Sequence, residues 1–205
     1  MVRHGETDYN LKNKMQGRGI DAPLNATGDR QARAVATYAR NLNIEHLYSS
    51  SMKRACETAR AVGSLCGLEL ITHRDLDEMD FGVLEGCPID EIKPELQKLR
   101  KNWEAGELGL AAESGESPRM VLRRAAKRAE QIIREQHRSN LLFVLHGRLL
   151  RILLSHWLGY GLAQMHRIKH SNGAIYHLQW DGSRFESVYL HKTEHLEDIK
   201  SAVSS

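Results

Sequence analysis

The sequence predicts an α/β fold built on a mainly parallel sheet. Three observations carry this. Short apolar runs alternate with segments of helical period along most of the chain. Leu141 to Leu145 is continuously apolar and of strand length, which suits a central strand buried on both faces. Val2-Arg3-His4-Gly5 and Leu145-His146-Gly147 each end an expected strand in the same dipeptide, His-Gly.

The elements follow in order. Asn25-Ala26-Thr27-Gly28 marks a helix start, and behind it Ala32, Val35, Ala36, Ala39 and Leu42 recur at helical spacing while Arg30, Arg33 and Arg40 take the other face. Ile44 to Tyr48 reads as a strand. The serine run Ser49-Ser50-Ser51 is expected to cap the next helix, whose apolar side carries Met52, Ala55, Cys56, Ala59 and Val62 and whose stop is Gly67. Leu68 to Ile71 is a further strand. From about 83 to 118 glycines and prolines break the pattern, so an insertion with one or two short helices is expected. Ser117-Pro118 opens a long helix with proline in its first turn, and its arginines and lysines read as a solvated face. Leu149 to Leu158 is helical. Ala174 to Trp180 and Arg184 to Leu190 flank Asp181-Gly182, a hairpin turn signal. No repeat or linker interrupts this, so one domain over 1–205 is expected, with a tail from about 192.

Bulk properties bound the function. The chain has 205 residues, 41% hydrophobic and 27% charged, with a formal net charge of +3. That near-balance demands no nucleic-acid footprint and suits a small phosphorylated or acidic substrate. The three cysteines, Cys56, Cys66 and Cys87, have no metal-like spacing and read as reduced thiols of a cytoplasmic protein. No signal peptide pattern is seen. His146, Arg148, Arg151 and His156 interrupt the most apolar stretch, so no membrane partner is expected. A homo-oligomer is left open.

Ligands of open α/β sheets bind beyond the carboxyl ends of the strands. Adjacent strands would bring His4 and His146 together there, each followed by a glycine that lets backbone approach a ligand. Ser50-Ser51-Met52-Lys53-Arg54 follows a strand and places Arg54 in a first helical turn, where anions are favoured. Leu76-Asp77-Glu78-Met79-Asp80 offers three carboxylates before the insertion. Each element alone is compatible with ordinary packing or surface polarity. Together they spell phosphoryl transfer. Arg3 and Arg54 hold the phosphate, and neutral His4 attacks phosphorus. His146, if protonated, would add a third cationic donor, and Glu78 or a neighbour handles the proton of the leaving oxygen. No metal or cofactor is required.

The motifs VRHGETDYN at 2–10, QGRGIDAPLNATG at 16–28, SSSMKRACETA at 49–59, LDEMDFGVLEG at 76–86, ESGES at 113–117 and LHGRLLR at 145–151 fall in the order of a known family. The chain resembles the histidine phosphatase superfamily, in its phosphoglycerate mutase-like branch. The resemblance implies a three-layer α/β/α fold and a phosphohistidine intermediate. It gives His4 the role of nucleophile, Arg3, Arg54 and His146 that of the phosphate pocket, and Glu78 that of proton donor. Asn10, Gln16 and Gly17 match positions near the substrate, and Thr7 and the backbone of Gly147 border the pocket.

Two departures stand out. Only Met1 and Val2 precede Arg3-His4-Gly5, where the family carries a longer strand, and Arg148 follows the second His-Gly, where a smaller or polar residue is common. The leading expectation is hydrolysis of a small phosphomonoester. Phosphoglycerate mutase-type transfer is the alternative, disfavoured by a short stretch from Cys87 to Ser117 with three lysines and one arginine. Two further alternatives are an inactive binding protein on the same fold and a zinc site at His166 and His170 or His191 and His195. These histidines read instead as surface or packing residues.

Overall fold

The computed structural model describes residues 1–201. Six strands form one sheet: β1 (Val2–Arg3), β2 (His46–Ser50), β3 (Leu70–His73), β4 (Leu141–Leu145), β5 (Ile175–Trp180) and β6 (Phe185–Lys192). Their spatial order is β3-β2-β4-β1-β5-β6. The first four run parallel, and β5 and β6 add an antiparallel hairpin at one edge. The helices are α1 (Asp8–Leu11), α2 (Ala26–Ala39), α3 (Lys53–Cys66), α4 (Lys93–Glu104), α5 (Pro118–Glu135), α6 (Gly147–Trp157) and α7 (Glu197–Ser201).

The three layers follow from the two-residue period of a strand. In β4, Leu142 and Val144 face one way and pack with Val35, Ala36, Ala55, Ala59 and Val62 of α2 and α3. Phe143 and Leu145 face the other way, into the core shared with α4, α5 and α6. The continuous apolar run of β4 is therefore a run with two buried faces.

Local chemistry sets most helix ends. The Asn25 side chain accepts from the Gly28 amide and starts α2. Ser117 accepts from the Met120 amide ahead of Pro118 and starts α5. Gly67 closes α3 at φ 69°. The expected serine cap of α3 is not found. Its cap residue is Met52, without a side-chain bond. The physical reason is competition: Ser50 Oγ and Ser51 Oγ both donate to the Asp77 carboxylate, at 2.8 and 2.9 Å, which ties the end of β2 to the 76–80 loop. β2 runs later than expected and takes in two of the serines; β3 is shifted similarly.

The stretch from 83 to 118 carries a 3-10 turn at Gly82–Leu84 and α4, whose Leu99 and Trp103 are buried. Beyond Lys192 the chain folds back so that buried Leu196 packs over Gly173; the remainder of the expected tail, 202–205, lies outside the described residues. β1 is short: Val2 pairs with Val144 and Arg3 with Leu145. Below this pair, at the far end of the strands from His4, β4 and β5 flank a cavity of about 930 Å³ lined by Met1, Phe143, Trp157, Tyr176 and Trp180 among others. The three cysteines are unpaired. Among the described residues no helix is long and apolar enough to cross a membrane.

Candidate active site

β1 and β4 end side by side. The His4 amide donates to the Leu145 carbonyl at 3.0 Å, so the residues that follow each strand, His4 and His146, meet with ring centroids 5.1 Å apart. Both rings are buried. His4 Nδ1 lies 2.7 Å from its neighbour's carbonyl, Gly5 O, and Arg54 Nε lies 3.3 Å from His4 Nε2. A carbonyl only accepts and a guanidinium only donates, so the proton sits on Nδ1 and the Nε2 lone pair accepts from Arg54. Burial, Arg54 and Arg3 push the His4 pKa well below its ordinary value. The imidazole is neutral, with an unprotonated nitrogen beside the Arg54 guanidinium.

Arg54 is fixed by two carbonyls, Ile20 O at 2.8 Å and Gly17 O at 3.2 Å. Gly17 thus contributes backbone, and the turn it belongs to carries the arginine. Arg3 Nη1 donates to His170 Nδ1 at 2.8 Å, and its buried Nε has no partner. Gly147 is where these groups pack: a Cβ there would sit 3.2 Å from His170 Nδ1 and 3.3 Å from Arg3 Nε. Neither nitrogen of His146 has a hydrogen-bond partner. Burial first, then Arg54, His4 and Arg3, hold its pKa well below the ordinary value. His146 is therefore held neutral, and the expected role as a third cationic donor would require its protonation.

Of the three loop carboxylates, the structure separates the roles. Asp77 is used up on the Ser50 and Ser51 hydroxyls and the Ser51 amide, and Asp80 caps the Gly82 amide. Glu78 alone reaches the start of α6. Its Oε1 accepts from the Met79 and Leu149 amides at 2.8 and 3.0 Å, and Oε2 from the Arg148 amide at 2.9 Å. A helix N-terminus favours such a carboxylate, and its charge steadies the guanidinium of Arg3 and Arg54. Thr7 caps α1, donates to Gln16 Oε1 at 2.8 Å and accepts from the Asn10 amide. Gln16 Nε2 is buried without a partner. Thr7, Asn10 and Gln16 therefore form one small polar network beside the His4 loop.

Four residues have contacts that the reading of the sequence did not foresee. Asn172 Nδ2 points at the His4 and Gly5 carbonyls, at 3.1 and 3.2 Å, and at Asn10 Oδ1 at 2.9 Å. Arg124 does not belong to a solvated face. Its guanidinium turns inward and donates to the carbonyls of Asp75, Asp77 and Glu78 and to the Glu116 carboxylate. His170 is no surface residue but the partner of Arg3, and His166 likewise faces Arg148 at 3.3 Å. Leu162–Arg167 is a 3-10 segment, so the pair is not displayed on an α-helical face. Only the ESGES motif hinted at Glu116, and nothing in the periodicity of α5 singles out Arg124.

The profile of the histidine phosphatase superfamily (branch 1) matches residues 1–193. The chain belongs to this superfamily. Among its curated histidine phosphatase relatives, the probable phosphoglycerate mutase GpmB of Yersinia pestis (strain Pestoides F) is 36% identical over 183 residues, covering 89% of this chain and 85% of that one. Among solved structures, the mycobacterial glucosyl-3-phosphoglycerate phosphatase in complex with VO3 superposes with a TM-score of 0.85 at 25% identity, covering 94% of this chain and 98% of that one. The phosphoserine phosphatase of Entamoeba histolytica in complex with 3-phosphoglyceric acid gives a TM-score of 0.84 at 25% identity, covering 95% and 96%. The fold is thus the histidine phosphatase fold, and the family and its neighbours support a phosphatase or mutase enzyme.

Proposed function

We propose that this protein hydrolyses a small phosphomonoester through a phosphohistidine on His4. The observation that carries the reading is the state of His4: Nδ1–H is held on the Gly5 carbonyl, and the unprotonated Nε2 accepts from Arg54 at 3.3 Å.

The substrate phosphate docks between Arg3 and Arg54, with Gln16 Nε2 and the start of α6 at its border. His4 Nε2 attacks phosphorus in line, and the bond to the ester oxygen breaks as the N–P bond forms. Arg3, Arg54 and His146, protonated once the dianion is present, spread the charge of the three equatorial oxygens. Glu78 takes up a proton from solvent as the phosphomonoester binds and delivers it to the leaving oxygen. Water then attacks the phosphohistidine, the N–P bond breaks and the water gives a proton to Glu78, which releases it to solvent and is again the carboxylate as inorganic phosphate leaves. The arginines supply the positive charge this scheme needs, so activity is expected to survive chelators.

Incubation with a ³²P-labelled phosphomonoester and rapid quench tests this. The expected label is base-stable and acid-labile, maps to His4 and is absent from His4→Ala. An alanine variant with full turnover overturns the assignment.

Phosphoglycerate mutase-type transfer is the second reading, favoured by the 36% identity to a probable phosphoglycerate mutase. It differs in the second step, where a hydroxyl rather than water accepts the phosphoryl group. Product analysis with a bisphosphoglycerate primer separates the two: inorganic phosphate supports hydrolysis, and isomerised monophosphoglycerate supports transfer.

A further inference from the structure

Thr58 stands between His4 and Arg54 and takes no part in the scheme above. It lies one helical turn after Arg54 in α3 and is fully buried. Its hydroxyl makes two hydrogen bonds: Oγ1 accepts from the Gly5 amide at 3.0 Å and donates to the Arg54 carbonyl at 2.8 Å. These contacts close a circuit. The Arg54 side chain returns to His4, Nε to Nε2 at 3.3 Å, and His4 Nδ1 lies 2.7 Å from Gly5 O. The side chains in the circuit are His4, Arg54 and Thr58.

The chemistry of the place calls for a hydroxyl. Among strong hydrogen-bonding side chains, only a hydroxyl accepts and donates through one atom; carboxylates accept, ammonium and guanidinium groups donate, and amides divide the two roles between two atoms. The helix itself has no need of it. The neighbours of Thr58 on the buried face of α3, Ala55, Ala59 and Val62, are apolar. A hydroxyl turned back on the carbonyl four residues earlier slightly destabilises a helix.

What the hydroxyl fixes is the peptide unit between His4 and Gly5. That unit is a rigid plane, but the glycine beside it turns freely about its own dihedrals. Thr58 holds the N–H end of the plane. Asn172 Nδ2 at 3.1 Å and the Gly173 amide at 3.3 Å hold the carbonyl end, His4 O. With both ends held, the His4 ring leaves the backbone in one direction, its Nδ1–H meets Gly5 O and its Nε2 faces Arg54. The other end of the Thr58 hydroxyl is on the backbone of Arg54 itself, so the two groups are held to one another.

We propose that Thr58 is a positioning residue, whose hydroxyl ties the Gly5 amide to the Arg54 carbonyl and thereby sets the pose and tautomer of His4 against Arg54. This rests on the phosphohistidine reading. Thr58 touches no reacting atom and acts through His4.

The test compares T58V, T58C and T58S. Valine keeps the shape without the hydroxyl, cysteine offers only a weak donor and acceptor should T58V not fold, and serine restores the hydroxyl. Thermal melts establish which variants are folded. Nitrogen-15 NMR of the histidine rings, with the His4 signals assigned by their loss in H4A, reads the tautomer without turnover. The wild type and T58S are expected to hold the Nδ1–H form, and T58V and T58C to move toward a mixture of tautomers. With p-nitrophenyl phosphate, kcat is expected to fall on the order of 10²-fold in T58V and T58C and to recover in T58S. KM is expected to change less, because the Ile20 and Gly17 carbonyls still hold the Arg54 guanidinium. A tautomer change in T58V or T58C, in a protein whose wild type gains no phosphohistidine from any probe, sinks the hydrolase reading and leaves the positioning role standing. A wild-type His4 spectrum in folded T58V or T58C, or a T58S variant as impaired as they are, overturns the positioning role.

Discussion

The guanidinium of Arg124, on α5, donates to the main-chain carbonyl of Glu78 at 2.9 Å. The same side chain holds the carbonyls of Asp75 and Asp77 and pairs with Glu116 at 2.7 Å. One side chain thus holds the backbone of the loop whose carboxylate caps α6 beside His146.

Replacing Arg124 with methionine leaves three carbonyls and a half-buried carboxylate without their donor. Loss of such a network costs about 2–4 kcal/mol. Urea denaturation is expected to show this loss, and kcat is expected to fall because Glu78 is no longer held. A variant of wild-type stability would mean that water replaces the guanidinium.

Glu78→Gln removes the proposed proton carrier while keeping its shape. On an alkyl phosphate kcat is expected to fall on the order of 10²–10³-fold, the usual worth of a placed acid. With p-nitrophenyl phosphate, whose leaving group needs little protonation, the loss should shrink to about tenfold. Equal losses on both substrates would assign Glu78 to positioning α6 instead.

Gly147→Ala places a methyl group 3.2–3.3 Å from His170 Nδ1 and Arg3 Nε. The neighbours must shift by a few tenths of an ångström, which tilts Arg3 away from the phosphate. An increase in KM on the order of 10-fold is expected, with kcat less affected. Steady-state kinetics decides it; an unchanged KM would show that Arg3 tolerates the shift.

Acid should destabilise the fold in a defined window. His166 is held at a pKa of about 4 by burial and then Arg148, and His170 at about 2 by burial and then Arg3. His4 and His146 are depressed as well. Unfolded histidines titrate near 6.5, so the unfolded chain binds more protons as pH falls below that value. The stability contribution is complete above pH 6.5 and declines toward pH 4 and below. Urea midpoints at pH 8, 6 and 5 are expected to drop in that order, and less steeply for His166→Asn. In addition, kcat/KM should show no acid limb near pH 6.5 arising from His4, which is already neutral there.

Much of this was legible before any coordinates. The two His-Gly dipeptides at strand ends placed His4 and His146 together because a parallel sheet aligns the ends of its strands, and β1 and β4 do pair in that register. Arg54 follows from its position after β2. The serine run misled: a serine before a helix is a good cap, but here Asp77 from a distant loop takes the hydroxyls. Of three loop carboxylates, only the contact with α6 distinguishes Glu78.

The sequence by itself determined the order of strands and helices, the apolar helix faces and the meeting of His4 with His146, since these depend on local period and on chain direction. The tertiary structure alone decided where long polar side chains turn. Asn172, His170, Arg124 and Arg148 act through groups between 8 and 168 positions away. A guanidinium on a helix can reach solvent or a neighbouring loop from the same Cα, and helical period does not encode which. That choice is made by what carbonyls, rings and charges the packed neighbours present.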